Sequence, residues 1–235
     1  MREIVFDTET TGLDPLAGDR LVEIGCIELI NRFPTGNTFH FYFNPERDMP
    51  EAAFRVHGLS IEFLTGKPRF ADVVEDLVRF IGNDTPLVAH NAMFDLGFLN
   101  AELKRVGKAE LNRDRLVDTL MLARRKHPGG SNRLDDLCAR YKIDNSRRKK
   151  HGALLDAELL AEVYLELIGA RQAMLGLAQA TNGGGEARGG EASGLVRLQP
   201  LAARVTAQER AEHRAFIATF GTAAVWRDYL PEDRA

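Results

Sequence analysis

The stretch Ile4-Val5-Phe6-Asp7-Thr8-Glu9-Thr10-Thr11-Gly12-Leu13 restricts this chain's fold more than any other. An apolar run ends in two carboxylates spaced two residues apart, followed by a Thr/Gly turn. On an extended strand, residues i and i+2 face the same way. Asp7 and Glu9 therefore project together from the end of a strand whose beginning is buried. Two carboxylates held close repel each other, and one takes up a proton unless a cation sits between them. Hard divalent ions accept such oxygens as ligands. The plainer alternative is that both acids cap a turn with Thr8 and Thr10.

The chain around this strand supports an α/β reading. Leu21 to Ile30, apolar and β-branched, reads as a second strand, and Thr38 to Phe43 as a third. A hairpin turn is expected at Pro34-Thr35-Gly36-Asn37 between them. A short helix over Pro50 to Val56 follows, then a turn capped by Ser60. Apolar residues at 70, 73, 74, 77, 78 and 81 predict a helix over Phe70 to Ile81. Thr85 to Ala89 reads as a short buried strand, and Asn91 opens a helix. Arg115 to Asp118 reads as another strand, running into a helix over Thr119 to Arg125. After Pro128-Gly129-Gly130, a helix capped by Ser131 or Asn132 runs to about Arg140. The last helix of the domain spans Gly152 to Ile168, with Leu155, Leu159, Val163 and Leu167 on one stripe. A meander of strands followed by strands alternating with helices predicts a mixed sheet.

At 235 residues, the chain has room for one large domain and an appendage. A net charge of −3 supplies no general attraction to nucleic acid, so any such surface must be local. Cys26 and Cys138 have no metal-type spacing and suit a reducing compartment. No apolar stretch approaches membrane-spanning length, and the immediate entry into a strand leaves no room for a signal peptide, so a cytoplasmic protein is expected.

Three further groups complete a chemical inventory. Asp95 lies in the first turns of a helix that follows a buried strand, where α/β sheets bind ligands. His151 precedes the last helix, and Asp156 lies on its first turns. Four carboxylates and one histidine suit two-metal phosphodiester hydrolysis, with the imidazole available as general base. The bland readings stand alongside. His90 is expected to bond backbone at a strand end, His40, His127 and His213 to lie on the surface, and Arg147-Arg148-Lys149-Lys150 to be a solvated loop with phosphate contact in reach.

The set Asp7-x-Glu9, Asp95 and His151-x4-Asp156 resembles the three motifs of the DEDDh 3′–5′ exonuclease family, over about residues 1–170. The runs 31–37, 137–146 and 151–157 are similar to the branch that proofreads for bacterial replicative DNA polymerases. The resemblance implies a ribonuclease H-like fold and two divalent ions, Mg²⁺ or Mn²⁺. Asp7, Glu9 and Asp156 would be ligands, Asp95 would bind the second ion directly or through water, and His151 would be the base. Asp7, Glu9, Asp156 and His57, in Val56-His57-Gly58, would also meet the 3′-terminal nucleotide. Members of this kind carry a glutamate five residues before that histidine. Here the position is Ala52, with Glu51 one step earlier as the substitute contact.

The C-terminal part differs in composition. Residues 171–194 read as a flexible Gly-rich linker, with six glycines between Thr181 and Gly194. Gln172, Leu175 and Leu177 resemble a short sliding-clamp-binding peptide. Residues 195–235 read as a helical tail. It has a capping box at Thr206-Ala207-Gln208-Glu209, Gly221 as helix stop, and Phe216, Phe220 and Trp226 as anchors for a polymerase's catalytic subunit. A small theta-like subunit is a further expected partner. Two rival expectations are an exonuclease acting on RNA 3′ ends and a noncatalytic assembly subunit.

Overall fold

The computed structural model describes residues 1–170 and 205–220, which fall in two separate units. The clamp-peptide residues Gln172, Leu175 and Leu177, the helix stop Gly221 and the anchor Trp226 lie outside the described residues, as does the Gly-rich stretch.

The larger unit is built on five strands: β1 (Arg2–Thr10), β2 (Leu21–Ile30), β3 (Phe33–Tyr42), β4 (Leu87–Ala89) and β5 (Leu116–Asp118). Their order is β3-β2-β1-β4-β5. The first three form an antiparallel meander, and β4 and β5 add in parallel beside β1. This mixed sheet, flanked by helices, is the ribonuclease H-like arrangement. Its helices are α1 (Glu51–His57), α2 (Ile61–Thr65), α3 (Phe70–Ile81), α4 (Ala92–Arg105), α5 (Thr119–Lys126), α6 (Leu134–Tyr141) and α7 (Ala153–Leu167).

Strand alternation sorts the two cores. Ile4 and Phe6 face one way, with Val73, Leu77, Phe98 and Leu103 of α3 and α4. Val5 faces the other way, with Leu137 of α6 and Leu160 and Val163 of α7. Asp7 and Glu9 continue the Val5 face, so the two acids point to the side that α7 covers. The register pairs Asp7 with Gly25 on β2. A Cβ on Gly25 would lie 2.3 Å from the backbone nitrogen of Leu154. Glycine here lets the start of α7 rest directly on the sheet, which sets Asp156 above Asp7. A bulge between Glu9 and Thr10 then ends the regular pairing beside the site.

Two local expectations are corrected. The β2–β3 turn is Asn31-Arg32, with φ of 51° and 70°, rather than residues 34–37. A two-residue turn with both φ positive matches the twist of the strands it joins. Pro34 instead sits within edge strand β3, where its missing N–H costs no ladder bond, and Gly36 falls in an irregularity of that strand. Neither Ser131 nor Asn132 caps α6. The Ser131 hydroxyl bonds Asp136, Asn132 Nδ2 bonds the carbonyls of His127 and Gly130, and the helix begins after Arg133.

In the smaller unit, helix α8 (Ala207–Ala218) opens with the reciprocal Thr206–Glu209 capping box, and the Phe216 and Phe220 rings meet edge to face at 4.9 Å.

Candidate active site and metal centre

The ends of β1 and β4, the first turns of α4 and α7, and the loop before α7 converge on one cleft. Asp7, His151 and Asp156 line it. Glu9 is buried against it, and ligand atoms of Glu9, His151 and Asp156 lie within 4.8 Å of one another. Asp95 is buried in the first turn of α4, where the helix dipole favours a carboxylate, and its Oδ1 accepts the Thr8 hydroxyl at 2.6 Å. Thr8, on the opposite face of β1 from Asp7, thus ties α4 to the strand.

The electrostatics follow from crowding. Burial, then the neighbouring Asp95, Glu9 and Asp156, raise Asp7 well above the usual carboxylate range. Burial and the charges of Asp156 and Glu23 push Glu9 up to about 8. Burial raises Asp95 to about 7, although the Thr8 hydroxyl favours its ionised form. Asp156 goes the other way. Burial alone would raise it, but hydrogen bonds from His151 and Arg148 outweigh that and hold it low.

The role of Arg148 is visible only in the folded chain. It is not a solvated loop residue: its side chain is 7% exposed. Its Nε and Nη2 grip Asp156 at 2.5 and 2.6 Å, its Nη1 reaches Asp135 at 2.6 Å, and Nη2 lies 2.8 Å from His151 Nδ1. The same Nδ1 lies 3.2 Å from Asp156 Oδ2. Glu23 was also unforeseen. It is buried opposite Glu9 in the β1–β2 ladder and bonded to His40 Nε2 at 2.8 Å, so His40 is a paired group rather than a plain surface residue. His127 likewise pairs with the Tyr141 hydroxyl at 2.7 Å, and His90 Nδ1 meets the Thr119 hydroxyl at 2.9 Å. His213 is exposed.

His57 ends α1 in a buried position. Its Nδ1 accepts the Leu59 amide at 3.0 Å, and its Nε2 has no hydrogen-bond partner. Burial first, aided by the charges of Lys150 and His151, holds its ring below the ordinary histidine range. The loop before α7 lies beside it, since the His151 amide bonds the Val56 carbonyl at 3.3 Å. Glu51 is not drawn in: its side chain is 80% exposed and stands 3.8 Å from Arg55.

The donor set fits a divalent cation. Buried Glu9 Oε1 has no partner, and burial, joined at Asp7 and Glu9 by the neighbouring carboxylates, raises Asp7, Glu9 and Asp95 above their usual range. Crowded acids at the strand ends of such a sheet, with a histidine on their rim, are the residue types that a divalent-metal nuclease uses. The family model described as Exonuclease matches residues 4–164. The chain belongs to this exonuclease family, whose members use divalent metal ions. It is 46% identical to a DNA polymerase III subunit epsilon of Rickettsia felis, over 93% of this chain and 96% of that one. It is 42% identical to that of Escherichia coli K12, over 96% and 97%. The solved exonuclease X, in complex with 5′ overhanging duplex DNA, shares the fold with a TM-score of 0.54 at 24% identity, covering 72% of this chain and 92% of that one.

The raised carboxyls give the metal-free protein a signature in pH. A carboxyl whose folded pKa lies above its unfolded value stabilises the fold fully below the unfolded value, and that contribution is lost as pH rises through the folded one. For Glu9 the window runs from 4.5 to about 8. In EDTA, Tm should fall across this window, and Glu9→Gln, which cannot ionise, should flatten the fall. Equal slopes for both proteins would contradict the assignment.

Proposed function

We propose that the chain is the proofreading subunit of a bacterial DNA polymerase III, removing mispaired 3′-terminal nucleotides by hydrolysis of the last phosphodiester bond. The observation that carries this is that Asp7, His151 and Asp156 line one cleft, with Glu9 grouped with His151 and Asp156 and Asp95 an electrostatic neighbour of Asp7. The near full-length relatives, which carry the epsilon-subunit name, support the polymerase setting. They also weigh against the RNA-trimming and purely structural readings.

In this reading, Asp7, Glu9 and Asp156 hold Mg²⁺ or Mn²⁺, with Asp95 serving a second ion. Divalent ions there supply charge neutralisation at the phosphate and a more acidic water. His151 stands on the rim, half exposed, where it can take the proton of the attacking water. Asp156 and Arg148 hold the ring in place. His57, whose buried Nε2 has no hydrogen-bond partner, would meet the terminal nucleotide, and Glu51 would need a local shift to do so. The metal ligation of Asp156 competes with Arg148, whose guanidinium occupies its oxygens in the absence of an ion.

The partners follow from the same reading. They are a DNA 3′ end, the polymerase III catalytic (alpha) subunit, the sliding clamp through Gln172, Leu175 and Leu177, and a theta-like subunit, in the bacterial cytoplasm. The paired Phe216 and Phe220 rings, 61% and 57% exposed, support an anchoring role for the helix that carries them.

Two experiments test this. On a 3′-mismatched DNA primer with Mg²⁺, wild type should digest from the 3′ end and stop in EDTA. His151→Ala should lose kcat by about 10²–10⁴-fold, as for a missing general base. Near-normal turnover by His151→Ala, or preference for a matched RNA strand, would overturn the assignment. Separately, a chain ended at residue 182 should keep its nuclease activity but no longer co-elute with the polymerase catalytic subunit. Retained co-elution would move the contact to the nuclease domain.

A further inference from the structure

The cleft above the carboxylates is larger than one reacting phosphate needs. Its volume is about 840 Å³, and besides Asp7, His151 and Asp156 its lining includes His90, Asn91, Leu120, Arg124, Asn132 and Arg133. Two of the lining groups, Arg124 and Arg133, bring positive charge to a cleft that also holds Asp7 and Asp156.

Those arginines are unlike the other basic groups of the cleft. Arg148 is saturated by Asp156 and Asp135, His151 lies against Arg148 and Asp156, and His90 bonds Thr119. Arg124 and Arg133 are exposed, and their side chains make no hydrogen bond or ion pair among the described residues. The nearby acids are already engaged. Asp135 is held by Arg148 and Asn145, Asp136 by the Ser131 hydroxyl, and Asp118 by the amides of Asn91, Leu120 and Met121. Nothing in this wall neutralises the two guanidinium groups.

We propose that Arg124 and Arg133 form a phosphate track for single-stranded DNA, holding the backbone of the nucleotides that precede the scissile bond. The proposal rests on the exonuclease reading and adds to it the path of the strand. A chain of net charge −3 has no general field to attract a polyanion, so local free cations must supply the hold. Guanidinium groups suit the task because their fork matches phosphate oxygens. Leu120 in the same lining adds apolar surface on which bases can lie. With the strand gripped upstream by charge and its terminal phosphate at the carboxylates, the 3′ end is delivered in one direction.

The test uses the full chain and a 5′-fluorescent octathymidylate. Binding is followed by anisotropy in EDTA from 50 to 200 mM salt. Arg124→Ala with Arg133→Ala should weaken binding at least about tenfold, since hydrogen bonds to charged groups are the strong ones. It should also lower the slope of log affinity against log salt by about 1.4, at about 0.7 per phosphate contact on a single strand. Arg124→Lys with Arg133→Lys should keep the slope, because both charges remain. Unchanged affinity and slope in the double alanine variant, or a wild type that does not bind the octamer, would overturn the track. Digestion of the same octamer by wild type in Mg²⁺ reports on the exonuclease reading separately. A protein that digests the strand yet binds it with no contribution from these arginines loses only the track.

Discussion

Mutual repulsion among buried carboxylates is the constraint on which this structure turns. Asp7, Glu9, Asp95 and Asp156 are brought together where burial already disfavours their charge, and three of them respond by holding protons more tightly. A fold gains nothing from such a cluster by itself. Arg148 relieves it in part, gripping Asp156 with two nitrogens while Glu9 Oε1 remains without a partner. In the proposed function, a divalent cation would take these acids as ligands and compete with the Arg148 guanidinium for Asp156 alone.

The scaffold makes that crowding possible through register. The same alternation that sends Ile4 and Phe6 into one core and Val5 into the other sends Asp7 and Glu9 toward α7. Gly25, opposite Asp7, lets α7 approach the sheet to backbone contact, and the run of apolar residues from Leu159 to Leu167 fixes the helix there. Thr8 faces the other side and anchors Asp95 from α4. The four acids are thus placed by three elements, β1, α4 and α7, each held by a core that extends well away from the site.

Much of this was legible in the sequence because it depends on short-range periodicity. The i, i+2 spacing of Asp7 and Glu9 and the helical period of residues 70–81 both correspond to observed elements. What could not be read depends on which residues the fold brings side by side. Arg148 and Asp156 are eight residues apart across a loop and a helix start, and a run of four basic residues looks the same whether it is solvated or one member is buried. The Glu23–His40 pair exists only once the β2–β3 register is set. That register was itself misjudged, because Pro34 and Gly36 are stronger turn signals than Asn31-Arg32, and an edge strand tolerates them.

The most direct measurement is calorimetric titration of the metal-free protein with MnCl₂ at pH 7, repeated in buffers of different ionisation heat. A carboxyl raised to about 8 is largely protonated at this pH and must give up its proton to bind a cation. Binding should therefore release on the order of one proton per protein, and Glu9→Gln should reduce that release. Tight binding with no proton release, or no binding at all, would contradict the view that repelling carboxylates at the end of β1 are held together for a divalent ion.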